Sequence, residues 1–389
     1  MSDGVRKYWV LILLPIFVLL SAFSRPDWGF YGHRKINRMA TFTLPTELFA
    51  FYKPHLEFIT EHAVDPDKRR YALKNEAYRH YIDVDHWDTI PFPSVPRDLS
   101  QASLQYATLL CINNKDTSDV TSLLDDKELF YQDHIQLDRY SLEVVLNSDV
   151  ASYLSSPNEI KCTQFIYENK FVKYGVLPYF LEDFYHRLVR SFTNKNVKAI
   201  LRLSADMGHY IGDAHVPLHT SENYNGQMTD QVGIHAFWES RIPELSADEH
   251  YDMLVGKADY IDNKREYFWD IIIESHKLLP DVLRLEKELR ATFPEDRQFC
   301  YDERLERTTW TQCPEFAQAY EKSLGGSIER RMQESIKAIG DVWLSAWVDA
   351  GQPDLSEAGL GLDPDFMKKE KEELDKAYQS GNINGRSHQ

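Results

Sequence analysis

The sequence is poor in cationic side chains. Its 44 Lys and Arg stand against 61 Asp and Glu, a formal charge of -17, and that balance argues against a non-specific nucleic-acid binder working through a basic surface. A nuclease stays open, because clustered divalent cations supply locally the positive field that the side chains lack. Cysteine is scarce too, with four in 389 residues. None lies among the small residues 21–24, which excludes a lipid-modified terminus there. The apolar run at 8–20 is short for a membrane span. No stretch alternates apolar and polar residues over a useful length and no repeat period is visible, so neither a sheet protein nor a repeat array is expected. What is present, 43% hydrophobic and 13% aromatic residues, is enough to bury one large core or two modest ones.

Arg6 and Lys7 precede the apolar run, and Ala22-Phe23-Ser24 offers a small-x-small cleavage site, so residues 1–24 read as a signal peptide. An uncleaved signal anchor is the competing reading. The chain is therefore expected to be exported, periplasmic or extracellular, and tethered if the signal is kept. After export the cysteines can pair. Cys300 with Cys313, close in sequence, and Cys111 with Cys162 are favoured among three connectivities, between which the sequence does not choose.

Helical periodicity covers 178–192, 197–214, 260–293 and 315–350, and a charged helix is expected at 366–378. The expected architecture is all-α: a single helical domain over 25–355, an inserted segment at 88–175 with few chemical groups, and a charged helical tail at 356–389.

The densest chemistry lies in Leu201-Arg-Leu-Ser-Ala-Asp-Met-Gly-His209-Tyr-Ile-Gly-Asp213-Ala-His215-Val-Pro-Leu-His219, followed by His235-Ala-Phe-Trp-Glu239. His209 with Asp213, and His235 with Glu239, are four apart, so on helices each pair projects from one face. Pro217 ends the first helix near 213–216 and turns His219 back toward the same space. Leu201, Leu203, Met207, Ile211, Leu218, Phe237 and Trp238 would bury the helices. Imidazole and carboxylate together suit zinc. Upstream, Trp28-Gly-x-x-Gly-His33 places His33 in the first turn of a helix, and residues 79–87 pack His80, Asp83, Asp85 and His86 together. His62, His86 and His215 read as histidines with partners inside the fold.

Trp28-Gly-x-x-Gly-His33, Ala63-Val-Asp65, His80-Tyr-Ile-Asp83, the 209–219 block and His235-x-x-x-Glu239 together resemble the zinc-dependent phospholipase C and S1/P1 nuclease superfamily. The resemblance implies a helical fold and up to three zinc ions that hydrolyse phosphate esters through a zinc-bound hydroxide. It implies that Asp65, His80, His209 and Asp213 hold the first zinc, that His219, His235 and Glu239 hold the second, and that His33, Asp213 and the backbone of Trp28 hold the third. In that family the tryptophan amine is free, whereas here Arg25-Pro26-Asp27 precede Trp28. An amide nitrogen ligates poorly, so the third site needs trimming to Trp28. Glu239 is the phospholipase-type choice, while Tyr81 stands where nucleases place a stacking aromatic. Lys68, three residues after Asp65, is expected to stabilise the leaving oxygen, and Asp83 to orient a ligand or a substrate group. The partners implied are a phospholipid head group or single-stranded nucleic acid, with peripheral membrane contact, for a monomeric hydrolase. The rival reading is a non-catalytic, zinc-stabilised exported binding protein.

Overall fold

The computed structural model describes residues 30–386 except 115, 156–161, 305–306, 359–362 and 364. The signal-peptide reading and Trp28 lie outside the described residues. α1 (Phe30–Ala40) buries Phe30, His33, Ile36, Asn37 and Ala40 at helical spacing. α2 (Leu177–Thr193) carries Pro178 in its first turn, where a missing N–H costs little. α3 (Val197–Ala214) is capped by Asn196, whose side chain accepts from the Ala199 amide. α4 (Lys264–Thr292), α5 (Pro314–Ser323) and α6 (Ser327–Asp349) follow, and α7 (Lys368–Ser380) ends at Gly381 with a left-handed φ of 74°. The helical pattern at 315–350 is thus two helices. Gly325 and Gly326, both at positive φ, break it.

α3 is the axis of the molecule, and α1 lies against it more closely than side chains usually permit. A Cβ at Gly208 would sit 1.9 Å from Asn37 Oδ1, and one at Gly212 would sit 2.9 Å from His33 Nδ1. Glycine at both positions lets the two helices meet, and Asn37 Nδ2 donates to the Ala205 carbonyl at 2.9 Å. Where α3 ends, its last carbonyls are satisfied from the neighbouring helices. Ser275 Oγ of α4 donates to Ala214 O, and Arg331 Nε of α6 donates to His215 O at 3.0 Å. One buried cluster joins Ile36, Leu188, Leu201, Tyr210, Trp269, Ile339 and Trp343. A second, with Leu218, Phe237, Trp238 and Tyr320, lies under the loop that follows α3.

The helical frame agrees with the all-α expectation, but two small antiparallel sheets correct it. β1 (Thr108–Asn113), β2 (Asp116–Asp119), β3 (Glu143–Leu146) and β4 (Gln164–Glu168) form a sheet in the order β2-β1-β4-β3, and β5 (Phe299–Arg304) pairs with β6 (Arg307–Gln312). Alternation was hidden because the outward residues of β1, Leu110 and Ile112, are as apolar as the inward Leu109 and Cys111. The four-stranded sheet has a buried cluster of its own, including Leu109, Phe130, Tyr131, Leu146 and Phe165. Disulfides join Cys111 with Cys162 and Cys300 with Cys313, and no cysteine is free. Two such bonds fit an oxidising, exported environment. No described helix is long and apolar enough to cross a membrane.

Candidate metal centre

Six stretches of chain deliver histidines and carboxylates to one buried space at the C-terminal half of α3. His209 and Asp213 project from α3, one turn apart. His33 comes from α1, and its ring stacks on His209 at 3.9 Å between centroids, an approach that Gly212 allows. His219 lies in the turn Pro217–Thr220, whose carbonyl at His219 accepts from the Ile82 amide at 2.9 Å. That bond ties the His219 turn to the strand-like segment carrying His80. His235 follows Gly233, at φ 96°, and reaches Glu239 across the π-helical turn Phe237–Arg241. Local π geometry of this kind recurs at functional sites.

The donor atoms fall into three sets. In the first, His80 Nδ1, His209 Nε2 and Asp213 Oδ2 lie 2.9, 3.1 and 3.3 Å from one another, with Asp67 Oδ1 at 3.8 Å from both imidazole nitrogens. In the second, His219 Nε2, His235 Nε2 and Glu239 Oε2 are separated by 2.8, 3.2 and 3.6 Å. In the third, His33 Nε2 is 3.4 Å from Asp213 Oδ1 and 3.4 Å from Glu239 Oε1. Asp213 and Glu239 therefore each give one oxygen to one set and the other oxygen to the next.

These spacings suit a metal ion. Zinc bonds of about 2.0–2.1 Å in a tetrahedron put neighbouring donors roughly 3.3 Å apart, close to the separations within the first two sets. The imidazoles are also turned the right way. His209 Nδ1 donates to the Ala63 carbonyl at 2.9 Å and His235 Nδ1 donates to the Tyr224 carbonyl at 2.9 Å, which leaves each Nε2 with a lone pair directed into the cluster. Lone pairs held 3.1 Å apart, as on His80 Nδ1 and His209 Nε2, repel unless a proton or a cation lies between them. Burial dominates the electrostatics. It pushes the Asp213 carboxyl up and the His209 imidazolium down, both changes that remove charge from a dry site. Burial also opposes the Glu239 carboxylate, but hydrogen bonds from His219, His235 and His33 outweigh it and hold Glu239 well below the usual range. The buried sets can hold metal ions, and imidazole with carboxylate donors suits a divalent transition metal.

The carboxylate beside His80 and His209 is Asp67. Asp65, the residue expected there, is not among the clustered donors: its Oδ2 meets His62 Nδ1 at 2.5 Å. The short helix Asp65–Arg69 explains the exchange, because residues two apart on a helix point in different directions. Asp67 was missed because Ala63-Val-Asp65 matched the motif, although Asp67 stands only two residues on. Lys68 Nζ bonds Asp375 Oδ1 of α7 at 2.6 Å. Asp83 is fully buried and forms a forked ion pair with Arg386, one arm of which is Arg386 Nη1 to Asp83 Oδ1 at 2.7 Å. The three histidines read as internal have partners inside the fold. His62 pairs with Asp65, His86 stacks on Tyr174 at 3.4 Å, and His215 Nδ1 donates to the Ile211 carbonyl at 2.7 Å.

No family model, curated protein or solved structure matches the chain.

Proposed function

We propose that the chain is an exported zinc-dependent hydrolase of phosphate esters, acting on the phosphodiester of a phospholipid head group or of single-stranded nucleic acid. One observation carries the reading: three adjoining sets of buried His, Asp and Glu donors share the carboxylates Asp213 and Glu239. Isolated structural zinc sites are closed and separate, whereas donor sets within one carboxylate's width suit chemistry that several ions perform together.

Asp67, His80, His209 and Asp213 would hold one ion, His219, His235 and Glu239 a second, and His33 with the outer oxygens of Asp213 and Glu239 a third. When bound, zinc supplies an acidified water as nucleophile at neutral pH and neutralises charge on phosphoryl oxygens. The chain's own residues do the rest. The carbonyls of Ala63 and Tyr224 fix the tautomers of His209 and His235. Lys68, on the Asp67 helix, offers an ammonium for the leaving oxygen, and the Tyr81 ring beside His80 offers a face on which a substrate group can stack.

The test is a parallel turnover screen of the zinc-loaded chain on single-stranded DNA, RNA, phosphatidylcholine and a chromogenic phosphodiester. Turnover of at least one, lost in His209→Ala and on chelation, is expected. Bound zinc with no turnover of any of them would replace this reading with the non-catalytic one.

A further inference from the structure

Lys68, which would face the leaving oxygen, and Asp83, expected to orient a ligand or a substrate group, are both engaged by one stretch of the chain. That stretch is α7 and the residues after it. Asp375 takes Lys68, and Arg386 takes Asp83. The Arg386 guanidinium also lies over the Tyr81 ring at 3.9 Å and within 4.8 Å of the Tyr224 ring. Tyr81 follows the donor His80 in sequence, and Tyr224 holds the donor His235 through its carbonyl. The three residues that Arg386 touches, Tyr81, Asp83 and Tyr224, therefore adjoin residues of both donor sets. Aromatic faces with a carboxylate make a receptor for a planar or quaternary cation, and the chain fills it with its own arginine.

The segment is fastened one contact away from the cluster. Arg70 Nη1 lies 3.4 Å from Asp67 Oδ1, while its Nη2 donates to the Arg386 carbonyl and its own carbonyl accepts from the Asn384 amide at 2.9 Å. Gly385, at φ 98°, passes so near that a Cβ would sit 2.4 Å from the Ala77 Cβ. Its grip is nevertheless of a releasable kind. α7 buries Leu374, sets Tyr378 against Phe30 and Tyr71 at 5.7 and 5.0 Å, and otherwise shows Lys, Glu and Asp. Its ion pairs Lys68–Asp375 and Arg202–Glu370 are partly exposed, with Asp375 39% and Glu370 33% accessible. Such pairs contribute little each and weaken with salt.

We propose that residues 368–386 are an intramolecular cover over the metal cleft, with Arg386 as the plug that occupies the cation slot and α7 as the strap that withdraws Lys68. The cover keeps the cleft closed until the segment leaves. The claim of autoinhibition rests on the proposed hydrolase reading, whereas the claim of occlusion does not.

The test uses the full chain, Arg386→Ala, and Asp375→Ala/Tyr378→Ala, which loosens the strap without leaving Asp83 unpaired. Hydrogen exchange of 368–386, the rate at which a chromogenic chelator strips zinc, and KM for a chromogenic phosphodiester are measured for each. If the segment is docked about nine-tenths of the time, release should lower KM by about tenfold with kcat held, because apparent affinity scales with the open fraction. Zinc stripping should quicken by a similar factor, and exchange of 368–386 should rise in the strap variant. Rapid exchange of 368–386 in the unaltered chain would overturn the proposal. So would a freed segment with unchanged zinc stripping, or a kcat that falls in Arg386→Ala while 368–386 stays protected, which would make Arg386 part of the substrate site. Faster zinc stripping with no turnover in any variant would sink the hydrolase reading and leave the cover standing.

Discussion

Asp67 and Asp65 are two residues apart and chemically identical, yet they face opposite partners, and this is where residue-level reading of the sequence stopped short. Histidine and carboxylate spacing marked His209, Asp213, His219, His235 and Glu239, because i,i+4 pairs and a proline-ended helix are local facts, whereas His33 and His80 entered the ligand set only through the family resemblance. Which of two neighbouring aspartates turns inward depends on the pitch of a five-residue helix, Asp65–Arg69, set by tertiary packing. Asp67→Asn should weaken zinc binding at least about tenfold more than Asp65→Asn, as read by competition with a chelator of known affinity; the reverse order would return Asp65 to the ligand set. A second prediction concerns Asp83. Burial lifts its carboxyl to about 6, against the opposing hydrogen bond from Arg386. An unfolded Asp titrates near 3.9, so between about pH 4 and pH 6 the folded chain binds the extra proton and this residue's contribution to stability improves as pH falls. Denaturant unfolding of the unaltered chain and Asp83→Asn should show the unaltered chain gaining relative to the variant on going from pH 7 to pH 4.5. A flat difference would mean that Asp83 titrates normally in the fold.

Helices were legible at the scale of the element and strands were not. α3 begins and ends where its periodicity and Pro217 place it, because both signals are local. The strands escaped notice for a different reason: β1 is apolar on both faces, and β2 is exposed throughout and carries no apolar face at all. The close crossing of α1 over α3 was equally silent, since a glycine in a helix does not say what lies against it. Gly212→Ala tests that crossing. The new Cβ would meet Ile36 Cδ1 at 2.8 Å and His33 Nδ1 at 2.9 Å, so the variant should lose about 1–3 kcal/mol of stability and hold its most weakly bound zinc less tightly as His33 is displaced. Calorimetry and zinc titration check the two effects together; a variant with native stability and full stoichiometry would mean that the helices can part without consequence.

For the molecule as a whole, the sequence made the disulfide-bonded, helical frame legible, and the long-range contacts were beyond it. Nothing local in 366–386 announces that Arg386 will reach Asp83, which precedes it by 303 positions. The Cys111–Cys162 bond, by contrast, staples the small sheet with its separate buried cluster, far from the donors in the chain. Replacing both cysteines by serine should cost that unit about 4 kcal/mol by loop entropy for a separation of 51 residues. Hydrogen exchange should show β1 and β4 opening first while zinc stoichiometry is kept; loss of zinc along with the sheet would show that the two parts unfold as one.

The carboxylates of Asp213 and Glu239, each split between neighbouring donor sets, have a thermodynamic consequence. Burial raises the Asp213 carboxyl and so favours its protonated form in the metal-free site; a cation entering a set that includes Asp213 would displace that proton and leave the second oxygen of the same side chain ionised and oriented for its neighbour. Filling is for this reason a linked process whose later steps depend on the earlier ones. A calorimetric titration repeated in buffers of different ionisation enthalpy should find proton release concentrated in one equivalent of zinc rather than spread evenly over all, with an isotherm that independent sites do not fit.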